Sequence, residues 1–403
     1  MTGRRLRVLV GHNRYRSGQP SGEDRVVDQE VVLLRDAGHH VAVFERSSDE
    51  ISSMSVAGKA RAAGQSFWSR PARLDFLARL HAERPDVVHL HNTFPLLSPS
   101  VIAAAATVRV PVVATLHHYR QVCPSGVLYR EGRVCDDCVG RLPWPSIRHG
   151  CYGGSRLATL PLAVGMASSR RVWWSGIERF FCISQAQRNT LVQAGMPAER
   201  LAVKHNFVAD PGLRRLGSGS HVLYLGRLNE EKGLRLLMTA WERMTASGAA
   251  PVPLVIAGGG PMRGEIEQWA AGRDDVRFLG LLTRDECRVV TADAAVVVAP
   301  SVWPETFGLV VVEAMASGVP VVAAAHGAFV ELVADGETGL LHSPGDPASL
   351  ASCMAAALDP ALGRRLGAAG RRRYEEAFTP ETGLARLVEG YLAAIEGRPG
   401  GTT

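Results

Sequence analysis

The chain predicts an α/β fold made of two doubly wound, Rossmann-like domains, each on a parallel sheet and facing across a cleft. Three observations carry this. At 403 residues the chain exceeds what one ordinary core supports, so two domains of roughly 200 residues are expected. Short β-branched runs alternate with amphipathic stretches from end to end, the pattern of parallel strands joined by crossover helices. The alternation restarts behind PGLRRLGSGS (211–220), a segment rich in Gly, Ser and Pro.

In the first half the expected strands are LRVLVG (6–11), HVAVFE (40–45), DVVHLHN (86–92), VPVVATLH (110–117) and RFFCIS (179–184). Between the first two, DRVVDQEVVLLRDAG repeats apolar residues at three- and four-residue spacing and stops at a glycine, which predicts a helix. The second half opens with HVLYLG (221–226) and continues through PLVIAGG, VRFLG, AAVVVAPS and VPVVAA. Domains at 1–210 and 211–385 follow. The last helical segment, ETGLARLVEGYLAAIEG, comes after the second domain is complete, so residues 386–403 are expected to cross back to the first.

Hydrophobic residues form 46% of the chain and charged residues 21%, which excludes a disordered composition. The net charge of +6 fits nucleic acid, an anionic membrane or a phosphorylated substrate. No basic run is long enough to choose, and no nucleic acid is expected as a partner. No apolar stretch reaches about 18 residues, and the start MTGRRLRVLVGHNRYR lacks the shape of a secretory signal. The expected location is the cytoplasm, with peripheral contact at the inner membrane face as an addition.

Open α/β sheets bind ligands outside the carboxyl ends of their strands, so the chemistry is sought in those loops. GRLNEEKGL (226–234) joins the first strand of the second domain to its helix and places Arg227 and Lys232 at a helix N-terminus. Cations, amides and the positive dipole end converge there on an anion such as a pyrophosphate. An arbitrary Arg and Lys are more often solvated surface charges; their place in a first strand-to-helix loop argues otherwise.

PSVWPETFGLVVVEAMASGVPVVAA (300–324) is the most informative segment. With a helix expected from near Phe307, Glu305 and Glu313 stand on the order of 12 Å apart by helical rise. That exceeds the carboxylate separation of a glycosidase, yet suits the two ends of one extended ligand, Glu305 at a hexose and Glu313 at a ribose. The amides of Phe307, Gly308 and Leu309 are expected to face its phosphates. The bland alternative for Glu313 is a buried structural carboxylate.

With GRLNEEKGL and an E-x(7)-E pair about 75 residues on, in this setting and this order, the chain resembles glycosyltransferase family four, the large retaining family of the GT-B fold. The resemblance implies a nucleotide diphosphate sugar as donor and a sugar, lipid-linked or small-molecule acceptor, in polysaccharide, glycolipid or natural-product glycoside synthesis. It implies that Arg227 and Lys232 bind the donor diphosphate, that Glu313 holds the ribose hydroxyls and that Glu305 contacts the transferred sugar. The family's favoured chemistry is a front-face exchange through an oxocarbenium-like state, with the leaving phosphate helping to deprotonate the acceptor.

In the first domain the family's loop after the opening strand carries a Gly-Gly pair near the donor phosphate. Here SGQPSGEDRVV puts Ser21 in the first position and Gly22 in the second, where donor contact is expected. The family places a histidine beside the donor sugar at a strand end, which corresponds to His117 in VPVVATLH. His118 is adjacent, and one of His89 and His91 is expected to line the cleft.

No Asp-x-Asp triplet occurs, so no cofactor is expected in catalysis and cations replace a bridging metal. The run AGGGP (257–261) lacks the GxGxxG spacing, which weakens a hydride-transfer reading. Two alternatives share the scaffold: a nucleotide-sugar epimerase, separated by scoring epimer formation against transfer, and a catalytically silent nucleotide-sugar-binding subunit. Cys123, Cys135, Cys138 and Cys151 lie within an insertion at about 118–155 that reads as an irregular loop, and these four thiols are expected to hold a structural zinc. The stretch 156–176 suits an interfacial helix and equally an ordinary packed one.

Overall fold

The first sheet orders its six parallel strands β2-β1-β3-β4-β7-β8, from β1 (Arg7–Arg14), β2 (His40–Ser47), β3 (Val87–Leu90), β4 (Val112–Leu116), β7 (Arg179–Cys182) and β8 (Leu201–Val203). β3, β4 and β7 are almost wholly buried and apolar but for His89, Thr115 and Arg179, as strands covered on both faces must be. This computed structural model describes residues 4–17, 21–55, 58, 64–215 and 217–397; part of the SGQPSGEDRVV loop, residues 18–20, lies outside them.

The second sheet is also six-stranded and parallel, in the order β11-β10-β9-β12-β13-β14. Its strands are β9 (His221–Leu225), β10 (Leu254–Ala257), β11 (Val276–Gly280), β12 (Ala294–Ala299), β13 (Val321–Ala324) and β14 (Leu340–His342). Trp241, Leu237 and Met244, on one face of the helix Leu234–Ala246, pack with Val222, Ile256 and Val296 into its core. Both sheets reverse winding direction beside their first strand, between β1 and β3 and between β9 and β12. Those are the points where such sheets open a ligand crevice.

The chain divides into one unit of 1–128, 136–205 and 383–403 and a second of 129–135 and 206–382. These divisions stand at 205/206 and 382/383 where the sequence suggests 210/211 and 385/386, and 129–135, expected with the first domain, group with the second unit. β8 and β14, three residues each, escaped the sequence reading because runs so short carry no period to detect. The insertion is more ordered than expected: it holds a hairpin of β5 (Tyr129–Arg130) and β6 (Arg133–Val134) and a helix, Trp144–His149.

Within the first unit, the terminal helix Pro380–Glu396 lays Leu384, Leu387, Tyr391 and Ala394 on a core that contains Leu6, Val8, Val27 and Phe181. Gly390 permits the approach, since a Cβ there would lie 2.3 Å from the Phe181 ring.

Candidate functional site

In the second unit, β9 and β12 deliver two loops to the same strand-end crevice. Gly226–Gly233 leaves β9, and Gly233, at φ 76°, caps the helix that follows. The left-handed conformation and the Pro300 carbonyl 2.0 Å from a would-be Cβ restrict this position to glycine. The loop after β12 places Glu305 where the Lys232 Nζ donates to its Oε1 at 2.5 Å and the Ser301 hydroxyl donates to the same oxygen at 2.6 Å. Lys232 also stands 5.5 Å from the centre of the Trp303 ring. The backbone fixes Glu305 too: its carbonyl accepts from the Ala328 amide at 2.9 Å, and Gly327 leaves no room for a side chain against it.

Glu305 is buried, and burial alone raises a carboxyl pKa. The opposing charge of Lys232, with the hydrogen bonds from Lys232 and Ser301, outweighs it and holds the group below its ordinary value. The site therefore contains a carboxylate and an ammonium ready to exchange partners when a charged ligand arrives.

The helix carrying Glu313 spans Leu309–Ala316, with Gly308 at its N-terminal boundary. It begins two residues later than the sequence suggests, because Gly308 adopts φ 95° and breaks the turn that Phe307 was expected to start. Glu313 is half-buried, one turn into the helix, and Glu305 lies outside it in the preceding loop. Arg227 is half exposed, 3.8 Å from Glu231, while its carbonyl accepts from the buried Tyr224 hydroxyl at 2.7 Å. A Cβ at Gly308 would meet the Phe329 ring at 2.3 Å. Gly308→Ala is expected to cost about 1–3 kcal/mol of stability and to tilt the helix entry, read as a lower urea midpoint.

In the first unit the expected residues also gather at strand ends. Ser21 caps the helix Gly22–Asp36, its hydroxyl accepting from the Glu23 amide at 3.2 Å and the Asp24 amide at 3.4 Å. This gives the Ser at a family Gly-Gly position a structural task, and it leaves Gly22 exposed at the helix start. His117 follows β4 and shares a 3.0 Å hydrogen bond with His91, its Nε2 against the His91 Nδ1. Burial, with Lys204 nearby, drives the His117 pKa well below the ordinary histidine value, so the imidazole there is neutral.

Among the described residues, one group that could hold a metal has its ligand atoms all within 4.8 Å of one another: Glu30, His89 and His91. Its partners exclude that use. Lys204 donates to Glu30 and supplies the cation. The His89 ring nitrogens are already engaged, with the Tyr391 hydroxyl and the Thr115 hydroxyl, each at 2.8 Å. Cys123 and Cys138 are buried and Cys135 and Cys151 half-buried, and among the described residues no three of these cysteines form such a group.

Two family descriptions match this chain. Glycosyltransferase Family 4 matches residues 20–210, and Glycosyl transferases group 1 matches residues 219–359. The chain belongs to glycosyltransferase family four. This family-four glycosyltransferase is 28% identical to a glycogen synthase of Mycobacterium tuberculosis, over 97% of its own length and 96% of the relative's. It is also 28% identical to a phosphatidyl-myo-inositol mannosyltransferase of Mycobacterium leprae, over 90% and 91% of the two chains. Its fold is that of sucrose-phosphate synthase from Thermosynechococcus elongatus, with TM-score 0.71, 21% identity and coverage of 98% and 100%. HepE of Anabaena, crystallised with UDP and glucose, gives TM-score 0.66 at 20% identity over 96% and 100%. The two Rossmann-like domains are those of the GT-B glycosyltransferases.

The sequence reading did not reach Ser301, or His326, whose ring nitrogen meets the Ser301 carbonyl at 2.7 Å. Neither lies in a spacing that signals chemistry. The buried Glu30–Lys204 pair, 174 residues apart in sequence, was equally beyond it.

Proposed function

We propose that the chain transfers a hexose or related sugar from a nucleoside diphosphate sugar to an acceptor with retention, and that catalysis needs no metal. The observation that carries this is the Lys232–Glu305–Ser301 grouping at the β9/β12 switch point of the second unit. Lys232 and Arg227 offer cations to the donor diphosphate, and the amides at Phe307, Gly308 and Leu309 precede and open a helix whose positive end favours the same anion. As negative charge builds on the leaving diphosphate, Lys232 is drawn from Glu305, and the freed carboxylate faces the sugar as that becomes cationic. Glu313 holds the ribose. His117, neutral and held by His91, accepts or donates a hydrogen bond at the sugar without adding charge.

HepE crystallised with UDP and glucose and the mannosyltransferase among the relatives support a sugar-nucleotide donor and, for the acceptor, a glycolipid or polysaccharide precursor. No helix among the described residues is long and apolar enough to cross a membrane.

Incubation with a panel of nucleoside diphosphate sugars, followed by NMR of the product anomeric proton, tests the proposal. The expected product keeps the donor's anomeric configuration, and the rate is unchanged in EDTA. Inversion, or strict dependence on added Mg²⁺, would falsify it. Arg227→Ala, at an exposed position, is expected to weaken nucleoside diphosphate binding by about tenfold, the low end for a hydrogen bond to a charged group. Titration calorimetry reads that change directly.

A further inference from the structure

The first unit contains a pocket that the proposed donor chemistry touches only at His91, which holds His117. It is bounded by the strand-end segment His91–Phe94, by His118 and Arg120, by Phe67, and by one face of the helix Arg156–Gly176. That face presents Leu162, Met166, Arg170 and Trp173 at three- and four-residue spacing. Gly165 on the same face admits the Phe67 ring, which would lie 1.6 Å from a Cβ there. The cavity itself amounts to about 80 Å³ and opens to solvent at its mouth.

Its charges are one-sided. Arg120 and Arg170 are lining residues, and no carboxylate is among them. Arg120 lies over the Phe94 ring at 4.6 Å, and its buried Nε has no hydrogen-bond partner. Glu23, the acid that feels Arg120, is outside the lining, accepts from the Tyr15 hydroxyl and has a pKa pushed up to about 7 by burial, so it is only a partial counter-charge. Arg170 stacks on Trp174 at 3.8 Å and reaches the Ala194 carbonyl at 3.4 Å. His118 supplies a neutral donor: its Nδ1 accepts from the Arg120 amide at 3.2 Å, which puts the proton on Nε2. That Nε2 is buried without a protein partner. Leaving such groups unmatched costs free energy, which a ligand oxygen would recover.

We propose that this pocket binds the acceptor, and that the acceptor carries a phosphoryl group beside an apolar or ring-bearing body. The reading rests on the proposed transferase function for the word acceptor, whereas the phosphoryl site itself rests on the pocket. Arg120, with Arg170, meets the anion and His118 donates to it. Trp173, Phe67, Leu162 and Met166 hold the body, and neutral polyols lacking the phosphoryl group leave the arginines unpaired.

Titration calorimetry of the full chain with octyl phosphate, octyl glucoside and glycerol phosphate tests this. Octyl phosphate is expected to bind at least tenfold more tightly than octyl glucoside, and Arg120→Gln to erase that preference, a loss of about 10- to 150-fold for a charged hydrogen bond. Since Arg120 is half-buried, Arg170→Gln and the pocket-filling Ser169→Trp give second routes, with loss of octyl phosphate binding expected from each. Glycerol phosphate distinguishes the source. Binding comparable to octyl phosphate assigns a soluble phosphoester, and octyl phosphate alone assigns a lipid-borne one; either supports the site. Equal affinity for octyl phosphate and octyl glucoside, or unchanged binding in all three variants, overturns it. UDP titrated into the same samples reports the donor site separately, so a chain that binds octyl phosphate but no nucleotide refutes the transferase reading and leaves the phosphoryl site standing.

Discussion

Lys232→Ala is expected to lower stability by about 3–5 kcal/mol and turnover on the order of 10²- to 10³-fold. The first figure is the usual cost of removing one partner from a buried ion pair. Here the pair is enclosed on both sides, with the Lys232 side chain 19% and the Glu305 side chain 6% exposed. The second is the usual cost of losing one donor aimed at charge that develops in a transition state. Without Lys232 the burial of Glu305 is no longer outweighed, its carboxyl pKa rises, and part of the destabilisation is relieved by protonation. Lys232→Ala should therefore be least harmful to folding in mild acid.

Glu305→Gln keeps the shape and the Ser301 hydrogen bond and strands only Lys232, the more exposed partner, so it is expected to cost less stability than Lys232→Ala while lowering kcat more than affinity for the bare nucleotide. The double variant Lys232→Ala/Glu305→Gln removes the stranded charge and is expected to be more stable than Lys232→Ala alone. Urea midpoints for the four proteins form the cycle. Strict additivity would show that the two side chains are not coupled and would remove the basis for the exchange of partners.

The parts of this site that the sequence reveals are those whose spacing is fixed by a strand-to-helix loop. Arg227, Lys232, Glu305 and Glu313 lie in two loop–helix segments at the ends of β9 and β12, and the order of the strands makes them neighbours. The Glu305–Lys232 bond itself is not legible, because periodicity says nothing about which side chains meet across a crevice. The same holds for Arg120, which reads as an ordinary loop residue, and for His118, noted in the sequence only as the neighbour of His117, until the helix Arg156–Gly176 supplies the other wall of their pocket. Cysteine spacing is a weaker guide for the complementary reason. Four thiols close in sequence suggest a ligand set, but the insertion spends its length on a hairpin and a helix, and spacing cannot show how those orient the sulfurs.

Acid is expected to destabilise this chain from about pH 6.5 downward, above the range in which ordinary carboxylates protonate. His89, His91, His117 and His118 are enclosed in the first unit among His12, Glu30, Lys204, Tyr391 and Arg120. Burial, with those cations, holds the first three well below the ordinary histidine pKa and His118 at about 3. In the unfolded chain the same groups titrate near 6.5. Below that pH the unfolded state binds protons that the folded state refuses, so stability falls as pH falls. Each histidine contributes up to about 1.4 kcal/mol per pH unit. Glu23 acts the other way: its folded pKa of about 7 lies above its ordinary value, so between roughly 4.5 and 7 the folded state takes a proton that the unfolded state does not. The net is up to three protons, or about 4 kcal/mol for each unit below 6.5. Urea midpoints at pH 7.5, 6.5 and 5.5 should accordingly be flat across the first interval and drop steeply across the second. His118→Gln should reduce that slope by about one proton. A midpoint that held level from pH 6.5 to 5.5 would mean that these imidazoles are protonated in the folded protein, and the neutral His117 assigned to the sugar would go with it.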